Sequence, residues 1–237
     1  MRESLTTAAK TDDMMRGLRA ISGYSFRPSW LSCRCLCGGN GQTLMTAFKD
    51  ACMKLARPYV YDKQEEFTLS DGGQITISYR GEFAADSRRP VLFMLPSNEN
   101  HAQRGHSRIT LDYMYRGGES GKGFDVVFIG YRGTGDDSKG EFQSCKTPCL
   151  YTGNSPRDFI EPMRHLYNKL CRPHGKKAFA LGMSNGAINL VNASPELDFI
   201  TAAVTLWVIF DYRQWLVHLK RSCCGLYDWS IGNLYIK

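Results

Sequence analysis

The stretch AFALGMSNGAINLVNA, from Ala178 to Ala193, decides the fold. Ala178-Phe179-Ala180-Leu181 is a short apolar run of the kind that forms a strand buried on both faces. It leads directly into Gly182-Met183-Ser184-Asn185-Gly186, a G-x-S-x-G, and then into Ala187 to Ala193, which reads as a helix. Strand, tight turn and helix is the context that gives this pentapeptide its meaning. The turn forces the serine into a strained backbone conformation, so the residues two positions away on either side must be tiny. Glycine at 182 and 186 meets that requirement. Ser184 Oγ is then expected to stand clear of the sheet edge, at a helix N-terminus whose amides favour a developing oxyanion.

Working outward, the same kind of strand recurs. Val91-Leu92-Phe93-Met94-Leu95 and Val126-Val127-Phe128-Ile129 are continuous apolar runs, and Ala202 to Ile209 repeats the signature. All are expected to be buried on both faces. Pro156 to Leu170 places Phe159, Met163, Leu166, Tyr167 and Leu170 on one helical face. Asp158 falls in its first turn, where a carboxylate suits the helix dipole. Upstream the pattern changes to alternation. Phe67-Thr68-Leu69, the turn Ser70-Asp71-Gly72-Gly73 and Ile75 to Tyr79 read as a β-hairpin. A hairpin followed by strand–helix units predicts an α/β fold, a mostly parallel sheet with helices on both faces.

The remainder of the chain is less patterned. Residues 1–25 are polar and expected to be poorly ordered. Residues 26–64 form an irregular N-terminal arm rich in Gly, Cys and aromatic residues, with a short helix expected over Thr46 to Leu55. Residues 65–237 make up the α/β domain. There is no internal repeat and no low-complexity tract.

Bulk composition narrows the function classes. With 237 residues, 43% hydrophobic and 22% charged, the chain resembles an ordinary soluble domain with a sizeable core. The net charge of +7 is spread over isolated or paired Lys and Arg, which argues against a nucleic-acid footprint. No stretch reaches the ~18 apolar residues that a membrane span requires. The N-terminus lacks an apolar signal core. An intracellular protein is expected, cytoplasmic or in peripheral contact with a membrane. The nine cysteines are expected to be reduced thiols. Cys33, Cys35 and Cys37 could hold a metal, but no paired CxxC or His–Cys set completes a zinc site, so no metal and no cofactor are expected.

The run Phe124 to Gly133, with its Tyr131-Arg132-Gly133 turn, resembles the strand and "RG" turn of α/β-hydrolases. Gly39-Asn40-Gly41-Gln42-Thr43-Leu44 is similar to the arm of the YheT-like branch, which includes AB-hydrolase-domain and medium-chain ester hydrolases. The resemblance continues through Asp71-Gly72-Gly73, Leu95-Pro96, Asp158 and the elbow, covering roughly Ser25 to Arg213. It implies a serine ester hydrolase acting on small acyl esters or acylglycerols, with acyl transfer to alcohols as an option. Ser184 would be the nucleophile, activated by a His that an acidic residue orients. The Asn185 N–H would be one oxyanion donor, and the loop around Ser97 and Asn98 would supply the second.

Two departures qualify the resemblance. Leu95-Pro96-Ser97-Asn98-Glu99-Asn100 stands where the branch has a glycine-rich loop. Loss of one oxyanion donor costs roughly 2.7–4 kcal/mol of transition-state stabilisation. The segment after Ser184 holds one strand-like run and a short tail to Lys237, so the usual acid and His are expected to be missing along with the last strands. His218, with Asp211 ahead of it at the end of that run, is the local substitute. His101 and His106, in the loop near the oxyanion site, are further candidates. A catalytically inactive α/β-hydrolase-like binding protein is the alternative.

Overall fold

The computed structural model describes residues 61–97, 105–118, 121–132 and 155–206, together with Gln214 and Val217. They fall within one compact unit, Cys52–Lys237. The short helix expected over Thr46 to Leu55, the arm at Gly39–Leu44 and the cysteines at 33, 35 and 37 lie outside the described residues.

Six strands form one sheet: β1 (Lys63–Thr68), β2 (Gln74–Arg80), β3 (Val91–Leu95), β4 (Asp125–Ile129), β5 (Ala178–Met183) and β6 (Ala202–Leu206). Their spatial order is β1-β2-β4-β3-β5-β6. β2 runs against both neighbours, with Phe67 opposite Ile75 and Ile77 opposite Ile129. The β4, β3, β5 and β6 strands are mutually parallel, with Val91 opposite both Asp125 and Ala178, and Met183 opposite Leu206. This is the expected α/β arrangement, an N-terminal antiparallel hairpin on a mostly parallel sheet.

The expected hairpin turn is closed by two backbone bonds, Leu69 N–H to Gly73 O (2.8 Å) and Gly72 N–H to Leu69 O (2.9 Å). Gly72 takes φ of 81°, which an L side chain rarely adopts, and Asp71 Oδ1 accepts the Gly73 N–H.

Helices cover both faces. α1 (Gly105–Arg116) precedes β4, α2 (Arg157–Leu166) precedes β5, and α3 (Asn185–Ala193) follows β5. Successive β3 residues point to opposite faces. Val91, Phe93 and Leu95 pack with Phe159, Met163 and Leu166 of α2 and Leu190 of α3. Leu92 and Met94 pack with Leu111 of α1. A strand with an apolar cluster on each side has little place for polar residues, which is why β3, and β4 after the buried Asp125, read as unbroken apolar runs. No helix among the described residues is long and apolar enough to cross a membrane.

Two expectations are corrected. The run from Ala202 was expected to be buried on both faces, yet Ala202, Ala203, Val204 and Leu206 are exposed. Among the described strands β6 pairs only with β5, so it lies at the edge, where a helix layer covers less of it. The helix expected to run from Pro156 to Leu170 ends its α-helical part at Leu166 and widens into a π-turn, Tyr167–Cys171. The wider turn steps the inward-facing position from Leu166 to Cys171, leaving Tyr167 and Leu170 only half-buried.

The burial difference sets an expected outcome. Phe93 is fully buried and Val204 is 56% exposed. In urea unfolding, Phe93→Ala is expected to cost about 3–5 kcal/mol. Val204→Ala is expected to change stability by less than about 0.5 kcal/mol.

Candidate active site at the strand-to-helix turn

The parallel strands end on one side of the sheet, and Ser184, Asn185 and Ser97 lie at that end. β5 runs two residues further than its apolar core suggested, to Met183, and α3 starts at Asn185. Ser184 is the single residue between them, with φ of 51° and ψ of −114°. Among the described residues only Phe83 shares a positive φ without being glycine. A conformation of this kind costs roughly 1–3 kcal/mol and persists only where the surroundings enforce it.

The surroundings can be named. Ser184 N–H donates to Leu206 O of β6 (2.8 Å), and Ser184 O accepts from Ala187 N–H at 3.0 Å. Gly186 N–H donates to Pro96 O, just past β3, at 2.9 Å. A Cβ at Gly182 would lie 2.6 Å from Gly186 O and 2.7 Å from Ala187 Cα. A Cβ at Gly186 would lie 2.4 Å from Pro96 O. Both glycines are therefore places where backbone meets backbone, with no flexible side chain able to give way.

Ser97 follows Pro96 directly and is buried, as is Asn185 in the first turn of α3. Asn185 O accepts a bond from Asn189 Nδ2 (2.9 Å), and Asn189 Oδ1 accepts Ser155 N–H at 3.0 Å. This ties the start of α3 to the segment leading into α2. Ser184, Asn185 and Ser97 thus share the end of the sheet formed by the β3 and β5 exits. Asn98, His101, Asp211 and His218 lie outside the described residues. His106, expected in a loop, belongs to the first turn of α1.

The turn after β4 adds two residues to which the sequence assigned no role. Tyr131 is fully buried, and its hydroxyl donates to Pro96 O at 2.6 Å. Arg132 Nε and Nη2 donate to the two Asp158 carboxylate oxygens, each at 2.7 Å. Its Nη1 lies 2.7 Å from Asp71 Oδ2 in the hairpin turn, an ion-pair contact without the alignment of a hydrogen bond. A Cβ at Gly73 would approach Nη1 to 2.2 Å, so that glycine makes room for the guanidinium. The two carboxylates, Asp158 first, raise the Arg132 pKa. The Arg132 guanidinium in turn holds the Asp71 carboxyl below its ordinary value.

Exposure separates the two carboxylates. The Asp158 and Arg132 side chains are 3% and 8% exposed, while that of Asp71 is 47% exposed. Removing Asp158 strands a buried cation, so Asp158→Ala is expected to cost roughly 3–5 kcal/mol. Asp71→Asn is expected to cost no more than about 1 kcal/mol. A depressed folded-state pKa contributes stability above the unfolded value of 3.8. That contribution is lost as pH falls through the lower folded value, so wild type and Asp71→Asn should converge in acid. Urea midpoints across pH 2 to 7 check both statements.

Strain at the turn predicts opposite signs for two neighbouring changes. Ser184→Gly is expected to raise stability by about 1 kcal/mol, because glycine adopts positive φ freely. Gly186→Ala is expected to lower it by several times that, through its clash with the Pro96 carbonyl. Thermal unfolding of the two variants beside wild type checks the pair.

No protein-family model matches the chain, and no curated protein matches it. Solved structures do. Esterase Est22 is 15% identical with a TM-score of 0.49, over 72% of this chain and 52% of that one. The Pyrococcus furiosus esterase Pf2001 is 14% identical with a TM-score of 0.49, over 74% of this chain and 62% of that one. A hypothetical protein from Pseudomonas aeruginosa is 14% identical with a TM-score of 0.45, over 63% of this chain and 44% of that one. The chain spans between 44% and 62% of the length of these three structures.

Proposed function

We propose that the chain is a serine ester hydrolase of the α/β-hydrolase type, with Ser184 as nucleophile. The observation that carries this reading is the backbone of Ser184. It is held at φ of 51° between a central strand and a helix N-terminus, by two glycines that admit no side chain. Such strain persists at a cost in stability, and a serine placed this way stands at the N-terminus of a helix, where the dipole favours negative charge.

In the proposed reaction Ser184 Oγ attacks the carbonyl carbon of an acyl ester while a general base accepts its proton. The tetrahedral oxyanion is met by the Asn185 N–H and by a donor from the Ser97–Asn98 segment. Collapse expels the alcohol, protonated by the same base, and leaves an acyl-enzyme. Water releases the acid, or a second alcohol takes the acyl group. His218 with Asp211 is the base and orienting acid we propose, and His101 and His106 are the alternatives. The substrate class is a small acyl ester or acylglycerol, with peripheral contact at a lipid surface. The Gly39–Leu44 arm, Asp71-Gly72-Gly73 and Asp158 favour the YheT-like branch.

A second reading is a non-catalytic α/β-hydrolase-like binding protein. The sequence Ser97-Asn98-Glu99-Asn100, without the glycines that aim an oxyanion donor, favours it.

Fluorophosphonate labelling of the 237-residue chain tests the proposal. Labelling is expected in wild type and absent in Ser184→Ala, and His218→Gln is expected to slow it by about 10²-fold or more. A folded wild-type chain that takes no label would overturn the hydrolase reading and leave the binding protein.

A further inference from the structure

The Pro96 carbonyl lies between the exits of the two strands that flank β3. From the β5 side it accepts the Gly186 N–H at 2.9 Å. From the β4 side it accepts the Tyr131 hydroxyl at 2.6 Å. A carbonyl oxygen has two lone pairs and needs only one partner when buried, so Gly186 alone would satisfy it. The tyrosine hydroxyl adds direction. The Pro96–Ser97 peptide is planar, so two donors converging on its oxygen fix the plane from which the next residues depart.

We infer that Tyr131 is a positioning residue: its buried hydroxyl orients Pro96 and Ser97, at the exit of β3, against the Ser184 turn. The inference rests on the hydrolase reading, because orientation of that segment matters to the rate only if an oxyanion forms beside Ser184. Three observations support it. The side chain is fully buried, its ring is held edge-on to Phe159 at 5.5 Å, and the hydroxyl donates to a main-chain oxygen one residue before Ser97. Its neighbour Arg132 is clamped by Asp158, adjacent to Phe159 on α2. The tyrosine is therefore fixed at both its backbone and its ring, and can hold Pro96 without moving itself.

The test is Tyr131→Phe in the full chain, which keeps the ring and deletes the hydroxyl. Leu166→Ala serves as a packing control that removes buried volume from the same core cluster and keeps the hydroxyl, its ring neighbour and Pro96. For p-nitrophenyl butyrate, kcat in Tyr131→Phe is expected to fall about tenfold, with KM within about twofold. Loosening a donor costs less than the ~10²–10³ of deleting one. Leu166→Ala is expected to lower the urea midpoint and leave kcat within about twofold. The carbonyl ¹³C shift of Pro96 and the exchange rate of the Gly186 amide are expected to change in Tyr131→Phe, which reads the restraint without reference to turnover. Unchanged kcat in Tyr131→Phe, with Ser184-dependent turnover in wild type, would overturn the assignment of Tyr131 alone. Absence of Ser184-dependent turnover in wild type would overturn the hydrolase reading, and the catalytic purpose of Tyr131 with it. A kcat loss in Leu166→Ala equal to that in Tyr131→Phe would reduce Tyr131 to a packing residue.

Discussion

A helix can begin against the exit of a neighbouring strand only if nothing protrudes between them. Position 186 has no side chain, so α3 starts with its amide on the Pro96 carbonyl and its backbone in contact with the end of β3. Most of this end of the molecule depends on that approach. It forces the single connecting residue, Ser184, into positive φ, and it brings Ser97 and Asn185 to the same edge of the sheet. A methyl group at this position would push α3 away and release all three.

The loops around that contact are joined by polar bonds rather than by apolar packing. Arg132 links the hairpin turn to the start of α2, and Asn189 links the segment before α2 to the start of α3. Loop ends cannot contribute a hydrophobic face, because their backbones carry groups that need partners. Buried side chains that offer several donors or acceptors, such as arginine and asparagine, serve several loops at once. The cost of such a design is sensitivity, since each member becomes an orphan when its partner is removed.

How much of this the sequence disclosed follows from how local each cause is. β3, β4 and β5 were legible because burial on both faces leaves an unbroken apolar run. The hairpin was legible because Asp71-Gly72-Gly73 marks its turn. The elbow was legible because its two glycines stand at fixed distances from the serine. The exposure of β6 was not, since Ala202 to Leu206 has the same composition whether a strand lies central or at the edge. The widening after Leu166 was hidden because a π-turn changes which residue faces inward without changing the residues themselves. Asp71, Gly73, Arg132 and Asp158 each drew notice as pieces of separate motifs. Their meeting at one guanidinium is a tertiary fact, with no periodicity to betray it.

The bond from Ser184 N–H to Leu206 O joins the most strained residue of this edge to the last residue of β6, a strand paired only with β5 among the described strands. Strand ends at a sheet edge are where native proteins open first, by sub-global fluctuations far less costly than unfolding. When the end of β6 detaches, the Ser184 amide loses its acceptor, while the approach of α3 to β3 still holds its φ. How firmly that amide is held therefore depends on five residues whose side chains are mostly in water.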